Sequence, residues 1–360
     1  MGRPTGGAGP YTGLAKALPM PRRRTGGQRA ERPHRPSPPP SPRENAQGSG
    51  DAEAGGALHR PVMVAETVEH LAPRPGGAFL DATAGTGGHS LALGRHLAPG
   101  GRLVAVDWDE SALEVARCRL ADLDLEVVTI CGNFGDLTAL VRSAGGETFD
   151  CILLDVGLSS WALDDPARGF SFQRDGPLDM RMNRKMRLTA ERLVNRYRRE
   201  ELRRIFREQG EERWAGRIAS AIVRRRARRP IHTTGDLADI VARAVPRPRG
   251  RRRLHPATRV FMAIRATVNE EPENLRAVLP QLPALLRPGG RAAVLAYHSI
   301  EDRAVKEAFR HQAREGLVRV ITKKPLRPSE AERRDNPRSR SARLRVVERV
   351  ERVERPDSVE

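Results

Sequence analysis

The stretch Phe79–Leu93, FLDATAGTGGHSLAL, joins a short apolar run to an aspartate, a turn with three glycines and a pattern typical of a helix. Glycines between a strand and a helix let the backbone approach a nucleotide closely. The same turn also occurs as a tight strand–helix connection without a ligand. Gly85, Gly87 and Ser90 nearly match the dinucleotide pattern G-x-G-x-x-G, with Ser90 at the third glycine position. The stretch therefore indicates a nucleotide-binding α/β fold and leaves the nucleotide open.

Short apolar runs alternate with helical patterns from Ala78 onward, which predicts an α/β fold with parallel strands. Five of these runs finish in polar or small residues, at or near Asp81, Asp107, Phe134, Asp155 and His298. In an open parallel sheet the carboxyl ends of the strands lie at one edge, and ligands bind beside them. We therefore expect the five positions to border a single crevice.

Asp107 lies 20 residues after Gly87. At this spacing, an acidic side chain at the end of the second strand accepts hydrogen bonds from the ribose hydroxyls of a bound nucleotide. The glycine turn and Asp107 together predict an adenosine-bearing cofactor, either a nicotinamide dinucleotide or S-adenosylmethionine. Ser90 and a basic insertion further along the chain count against the nicotinamide dinucleotide.

The chain is strongly basic, with 64 Lys and Arg against 45 Asp and Glu and a formal net charge of +19. This excess predicts a polyanionic partner, nucleic acid first, although a genome rich in arginine codons would also produce it. The three cysteines form no CxxC pair, so no disulfide framework or zinc ribbon is expected and a reducing cytoplasm fits. No apolar run approaches the roughly 18 residues of a membrane helix, so no membrane partner is expected.

Residues 1–57 differ in composition from the rest of the chain. They are rich in Pro, Gly, Ser and Arg and poor in apolar residues. Such a segment cannot bury enough surface to offset its conformational entropy, which predicts a disordered basic tail. A start codon placed too early, with Met20 or Met63 downstream, is the alternative explanation.

The strand pattern stops between residues 161 and 253, where apolar residues recur at helical spacing beside arginine-rich faces. This pattern predicts a helical, substrate-binding subdomain inserted into the sheet domain. The two parts of that domain are then residues 58–160, which bind the cofactor, and residues 254–355. At the end of the insertion, RPRGRRR cannot pack a core, and we expect its last three residues to bind phosphates: Arg251, Arg252 and Arg253. A solvated arginine face is the alternative.

The next stretch, HPATRVFMAIRATVNEE, has a buried helical stripe that leaves His255, Arg259 and Asn269 freer to face the cleft. His298 ends the fifth apolar run, where a functional role is expected. Ser299 with Asp302 three positions later fits a capping box, so a structural role for Ser299 stays open. The histidines are scattered without ligand spacing, so no metal site is expected.

A series of longer motifs carries a family resemblance. They are DATAGTGGHS, VDWDESAL, GNFGDL, LLDVGLSSWALDDPARGFSFQRDGPLDMRM, HPATRVFMAIRATVNEE, YHSIEDRAVKEAF and NPRSRSARLRVVER. In this order, they resemble the bacterial ribosomal RNA small subunit methyltransferase H family, also called MraW, over residues 58–352. The resemblance implies a Rossmann-like sheet that binds S-adenosylmethionine and methylates the exocyclic N4 of a decoding-centre cytidine in 16S rRNA of the small ribosomal subunit. The resemblance does not decide whether the protein forms a homodimer.

Carried over position by position, the resemblance implies six cofactor contacts: Gly87, Gly88, His89, Asp107, Phe134 and Asp155. The family usually has a further glutamine in SSPQLD. This chain has SSWALD, with Ala162 at that position and Trp161 in place of the common proline, so that side-chain contact is missing.

Cytosine N4 is a weak nucleophile, because its lone pair is delocalised into the ring. The expected chemistry is alignment with the methyl donor and a hydrogen-bond acceptor for the amine N–H. Asp155, Ser159 or a backbone carbonyl could be that acceptor, and His298 is the third catalytic candidate. A ribosome-assembly protein that keeps the fold without catalysis, or a nicotinamide-dependent oxidoreductase, is the alternative function.

Overall fold

The computed structural model describes residues 61–146, 148–157, 160–246 and 255–351, with only the backbone of Ser160. The tail predicted for residues 1–57 lies outside the described residues, as do Ser159 and the arginines 251–253. Within the described part of the chain, no helix is long and apolar enough to cross a membrane.

One mixed sheet organises the described chain. Its strands are β1 Ala78–Asp81, β2 Gly101–Asp107, β3 Leu125–Cys131, β4 Phe149–Asp155, β5 Leu286–Ala296, β6 Val318–Val320 and β7 Arg343–Arg349. Their order across the sheet is β3-β2-β1-β4-β5-β7-β6. The first five strands pair in parallel, and β7 lies antiparallel between β5 and β6. The predicted α/β class with a parallel sheet is therefore confirmed.

Alternating side chains along the parallel strands fill two cores, one on each face of the sheet. Phe79 and Leu103 point into one core, and Leu80 and Val104 point into the other. All four are fully buried. Both faces of a parallel sheet are normally covered by helices, and this requirement gives its strands their nearly continuous apolar sequence.

Fourteen α-helices surround the sheet within the described residues. They are α1 Val64–Leu71, α2 Gly88–Leu97, α3 Glu110–Leu120, α4 Leu137–Ser143, α5 Ser160–Asp164, α6 Ala190–Arg196, α7 Arg199–Glu208, α8 Ala215–Arg226, α9 Thr234–Ala244, α10 Thr258–Val268, α11 Glu271–Val278, α12 Leu282–Leu285, α13 Ser299–Arg314 and α14 Glu330–Asp335. Helices α1 and α2 contribute to the core that contains Phe79, and α11 and α13 to the core that contains Leu80.

Helices α6 to α10 share a third hydrophobic core. Leu202 and Phe206 of α7 pack with Ile218 and Ile222 of α8 in this helical cluster, and all four side chains are fully buried. Val260 of α10 belongs to the same core, although it lies beyond the predicted boundary at residue 253. The limits of the inserted subdomain remain a prediction.

Candidate active site

The turn after β1 is shaped by its glycines and by a buried aspartate. Gly85 and Gly87 have φ angles of +52° and +79°, which other residues rarely adopt. The Oδ2 atom of Asp81 accepts a hydrogen bond from Ser90 Oγ at 2.6 Å, and its Oδ1 accepts one from Thr83 N at 3.2 Å. Burial raises the pKa of Asp81. This aspartate therefore fixes the turn and the start of α2.

Gly87 and Gly88 lie where α2 begins. A Cβ atom at Gly87 would meet the Cβ of Ala116 at 3.2 Å, and one at Gly88 would meet Pro61 at 3.2 Å. The first N–H groups of an α-helix have no partner within the helix and carry the positive end of its dipole. The start of α2 can therefore receive an anionic group such as a carboxylate.

Asp107 ends β2 and faces the glycine turn. Its Oδ2 accepts a hydrogen bond from Gly85 N at 2.7 Å, and its Oδ1 accepts one from Asp109 N at 2.8 Å. Burial raises its pKa to about 6, although both backbone hydrogen bonds lower it. Each carboxylate oxygen can accept a second hydrogen bond. The half-buried side chain is thus held in one orientation with acceptor capacity left for a diol.

Phe134 begins a 3₁₀ turn, Phe134–Asp136, three residues after β3 ends. Asn133 caps this turn, because its Oδ1 accepts a hydrogen bond from Gly135 N at 2.9 Å. The Phe134 ring is half-buried and packs against the edge of the core on that face of the sheet. One side of the ring is therefore available to cover a planar group.

Asp155 ends β4 beside His89 of α2. Its Oδ2 lies 3.6 Å from His89 Nε2, and its backbone N–H donates to Thr83 Oγ1 at 2.6 Å. Both ring nitrogens of His89 and Oδ1 of Asp155 are buried without a hydrogen-bond partner among the described residues. Because buried polar atoms normally have partners, these three atoms fit a polar ligand at this edge of the sheet.

Tyr297, the residue after β5, is a neighbour of Asp155 that the sequence analysis missed. Burial and then the Asp155 carboxylate raise its pKa well above the usual 10.0. A Cβ atom at Gly157 would lie 2.9 Å from the Tyr297 ring and 3.5 Å from Asp155 Oδ1. The ring therefore packs against the turn that follows β4, where Gly157 leaves room for it.

His298 lines a different part of the crevice edge. It borders a cavity together with Met262, Arg265, Glu271 and Ile300, and Asp155 and His89 are not among its described lining residues. Burial and then the charge of Arg265 lower the pKa of His298 to about 4. The imidazole is therefore neutral at pH 7, and His298 does not share a pocket with Asp155.

The capping box of Ser299 and Asp302, one of two interpretations that the sequence left open, does not form at the start of α13. Ser299 Oγ donates to Glu211 Oε2 at 2.9 Å instead of capping the helix. Glu301 provides the carboxylate that caps the helix start. Its Oε2 accepts hydrogen bonds from the N–H groups of Tyr297 at 2.9 Å and His298 at 3.0 Å. The helix is capped one residue earlier than the sequence pattern indicated.

The three residues expected to face the cleft differ in exposure. His255 is exposed, and its ring packs against that of Phe172 in a tilted arrangement, with centroids 4.7 Å apart. Arg259 is exposed and donates to the carbonyl of Glu211 at 3.0 Å. Asn269 is only 1% exposed, and its Oδ1 accepts from Met182 N at 2.7 Å. Its carboxamide also donates to backbone carbonyls, so the expectation that Asn269 faces the cleft is wrong.

Arg168 is a second residue that the sequence analysis missed. It is 4% exposed and donates from Nη1 to Asp109 Oδ2 at 2.7 Å. Arginine is almost never fully buried unless it is paired. The sequence does not show which arginine has such a partner, so no pattern distinguished Arg168 from the other arginines. Among the described residues, no group of three His, Cys, Asp or Glu side chains could hold a metal ion.

The chain is similar in sequence to known proteins. A sequence profile of the MraW methylase family matches residues 56–350. The chain is 46% identical over 311 residues to the ribosomal RNA small subunit methyltransferase H of Pelobacter propionicus, with 82% of this chain and 99% of that protein covered. The same-named protein of Symbiobacterium thermophilum is 45% identical, with 81% and 97% covered. A solved putative rRNA methylase from Clostridium thermocellum covers 81% of this chain and all of its own, at 13% identity and a TM-score of 0.38. The chain belongs to the MraW methylase family.

Proposed function

We propose that this chain transfers a methyl group from S-adenosylmethionine to the exocyclic N4 of a decoding-centre cytidine in 16S rRNA. The observation that carries the proposal is the pair Asp155 and His89, with unpartnered buried polar atoms beside the glycine turn. The relatives' name, ribosomal RNA small subunit methyltransferase H, supports the class of substrate. Because the substrate is part of the ribosome, the proposed activity belongs to the cytoplasm.

Three parts of this chain form the cofactor site. Asp107 accepts the ribose hydroxyls, because its carboxylate is oriented by Gly85 and Asp109. Gly87, Gly88 and His89 place the start of α2 beside the carboxylate of the methionyl part, and Phe134 covers the adenine. When bound, S-adenosylmethionine supplies a methyl group already activated on a sulfonium, so the residues need to supply alignment rather than a Lewis acid.

Asp155 accepts a hydrogen bond from the exocyclic amine of the cytosine. This contact draws the nitrogen lone pair out of the ring and holds the amine in line for attack. Asp155 takes the amine proton when the N–C bond to the methyl group forms and the S–C bond breaks, which leaves S-adenosylhomocysteine. Its backbone is fixed by Thr83 and its buried Oδ1 has no described partner, so an acceptor is in place before the base arrives. Ser159, outside the described residues, is the alternative acceptor. His298 is the weaker catalytic candidate, because it borders the cavity beside Arg265.

The RNA is held by basic and aromatic groups around the crevice. Arg251, Arg252 and Arg253, outside the described residues, bind phosphates. His255 and Arg259 have exposed side chains and add further contacts. The net charge of +19 supports a polyanionic partner. Trp161 in α5, six residues after Asp155, is 48% exposed and offers a stacking surface to an unstacked base.

A methyl-transfer assay tests the class of activity. Purified chain is incubated with methyl-labelled S-adenosylmethionine and small ribosomal subunits from a strain that lacks the corresponding gene. We expect label in 16S rRNA with the wild-type chain and, in the same incubation time, at least about 100-fold slower labelling with Asp155→Asn. Label in neither reaction, although the chain binds both cofactor and subunit, would favour an assembly factor without catalysis.

A further inference from the structure

A buried arginine connects the ribose side of the cofactor site to the helical cluster. The Asp107 carboxylate is held by Asp109 N, and Asp109 Oδ2 accepts Arg168 Nη1 at 2.7 Å. The other terminal nitrogen of Arg168 donates to the carbonyls of Arg181 and Met182, both at 3.0 Å. One guanidinium therefore bridges the end of β2 and the segment Met180–Met182.

A chain of asparagines connects the adenine side to the same segment. Asn133, which caps the turn of Phe134, donates from Nδ2 to Asn274 Oδ1 at 2.8 Å. Asn274 in turn donates to the carbonyl of Asn269 at 3.0 Å. Asn269 Oδ1 accepts Met182 N at 2.7 Å. Asn269 and Asn274 are buried, which limits the access of water to these hydrogen bonds.

The segment Met180–Met182 depends on these contacts for its own shape. Met180 is fully buried and has a φ of +59°, a left-handed conformation that is uncommon for a residue other than glycine. Its N–H donates to the carbonyl of Arg168 at 2.9 Å, and its carbonyl accepts Asn269 Nδ2 at 2.8 Å. Strained conformations persist where surrounding contacts over-determine them, and here Arg168 and Asn269 supply those contacts.

We infer that the segment Met180–Met182 positions both walls of the adenosine site. Three buried side chains transmit this effect as positioning residues: Arg168, Asn269 and Asn274. The inference rests on the proposed function, which takes Asp107 and Phe134 as the ribose and adenine contacts. The segment Met180–Met182 belongs to the helical cluster. The adenosine site at the edge of the sheet is therefore positioned by residues that lie outside the sheet.

Two substitutions test the two connections separately. Arg168→Lys keeps the charge but loses the planar fork that reaches Asp109 and two carbonyls together, and Asn274→Ala removes the link to Asn133. Either substitution should weaken binding of the adenosine ligand about threefold to tenfold, as expected for the free energy of a single hydrogen bond. Isothermal titration should give the same loss for S-adenosylhomocysteine and for 5′-methylthioadenosine, which lacks the amino-acid end. Arg187→Lys and Asn183→Ala, at exposed or locally bonded positions nearby, are the matched controls.

The kinetic signature separates positioning from general damage. In the methyl-transfer assay, both variants should raise the KM for S-adenosylmethionine by the same factor as the titration and leave kcat close to wild type. A loss that differs between the two ligands, or that falls on kcat alone, would overturn the inference. So would wild-type affinity in both variants.

Hydrogen exchange of the wild-type chain gives a test that needs no variant. Binding of 5′-methylthioadenosine should slow exchange of the Met180 and Met182 N–H groups, although neither residue contacts the ligand in the proposed site. Unchanged exchange at both amides in the saturated protein would overturn the inference. If the wild-type chain bound neither adenosine ligand, the proposed function itself would fail instead.

Discussion

Asp155 Oδ2 and His89 Nε2 lie 3.6 Å apart where β4 ends and α2 begins, and both nitrogens of the imidazole are buried without a hydrogen-bond partner among the described residues. Two parts of the sequence separated by 66 residues thus place a carboxylate and an imidazole at one point of the sheet edge. The glycine turn makes this approach possible, because it brings the first turn of α2 directly over the ends of β1 and β4.

Asp155→Asn should abolish most methyl transfer while leaving cofactor affinity within a few fold of wild type. The amide keeps the size of the side chain but replaces an acceptor oxygen with a donor nitrogen. A positioned proton acceptor contributes about 10²–10⁴-fold to a rate, so kcat should fall within that range. Single-turnover transfer to small subunits measures it. A variant with wild-type kcat would remove Asp155 from the chemistry and point to Ser159.

Cofactor affinity should depend on the protonation of Asp107. Burial raises its pKa to about 6, so the carboxylate is ionised above that pH and accepts both ribose hydroxyls. Affinity for S-adenosylhomocysteine should be constant above about pH 7 and should weaken as the pH falls through 6. Asp107→Ala should cost about 1.5–3 kcal/mol at pH 7.5, as expected for hydrogen bonds to a charged group.

Titration calorimetry between pH 5 and pH 8 measures both effects of Asp107. In Asp107→Ala, the affinity for S-adenosylhomocysteine should not weaken as the pH falls through 6. An unchanged dissociation constant in Asp107→Ala would refute the ribose assignment.

His298 should make the folded chain less stable in mild acid. Its folded-state pKa of about 4 lies below the ordinary 6.5, because burial and Arg265 disfavour the imidazolium. The unfolded chain therefore binds more protons between pH 4 and 6.5, and the free energy of unfolding should rise with pH across that window. The contribution is at most about 3–4 kcal/mol, because each pH unit between the two pKa values corresponds to about 1.4 kcal/mol.

The measurement is urea unfolding of wild type and His298→Gln from pH 4 to pH 8. The difference in unfolding free energy between the two proteins should change across this window and level off above pH 6.5. Parallel curves would show that His298 is not held neutral by its surroundings.

Much of the site follows from the sequence because strand ends have a local signature. Apolar runs that finish at Asp81, Asp107 and Asp155 are strands ending at those residues. Parallel pairing then brings the three aspartates to one edge. Only rules of periodicity and sheet topology are needed, and both are local or nearly so.

Asn269 shows where such reasoning fails. Helical periodicity excludes it from the apolar stripe of α10 and so suggests a solvent-facing side chain. In the fold, the backbone N–H of Met182, 87 residues earlier in the chain, donates a hydrogen bond to the carboxamide of Asn269. The burial of Arg168 was missed for the same reason, since its partner Asp109 lies 59 residues away. Polar side chains buried by tertiary contacts have no periodic signal.

The arginines 251–253 should hold RNA phosphates. Replacing all three with Ser should weaken binding to small-subunit RNA without changing cofactor affinity. Removal of one phosphate-binding arginine reduces the slope of log affinity against log salt by about 0.7–0.9, so the triple substitution should change it by roughly 2–3. Filter binding over a salt series measures the slope. An unaltered slope would instead favour a solvated face and move RNA binding to other arginines.

The position of the methyl group tests the central claim most directly. Small subunits methylated by the purified chain are cut into defined rRNA fragments. The fragment from the decoding centre and the remaining fragments are then digested separately to nucleosides, which are identified by mass spectrometry against synthetic standards. The account predicts N4-methylcytidine as the new nucleoside, in a fragment from the decoding centre, and its loss with Asp155→Asn. A methyl group on carbon 5 of cytidine, on a ribose hydroxyl or on another base would contradict it.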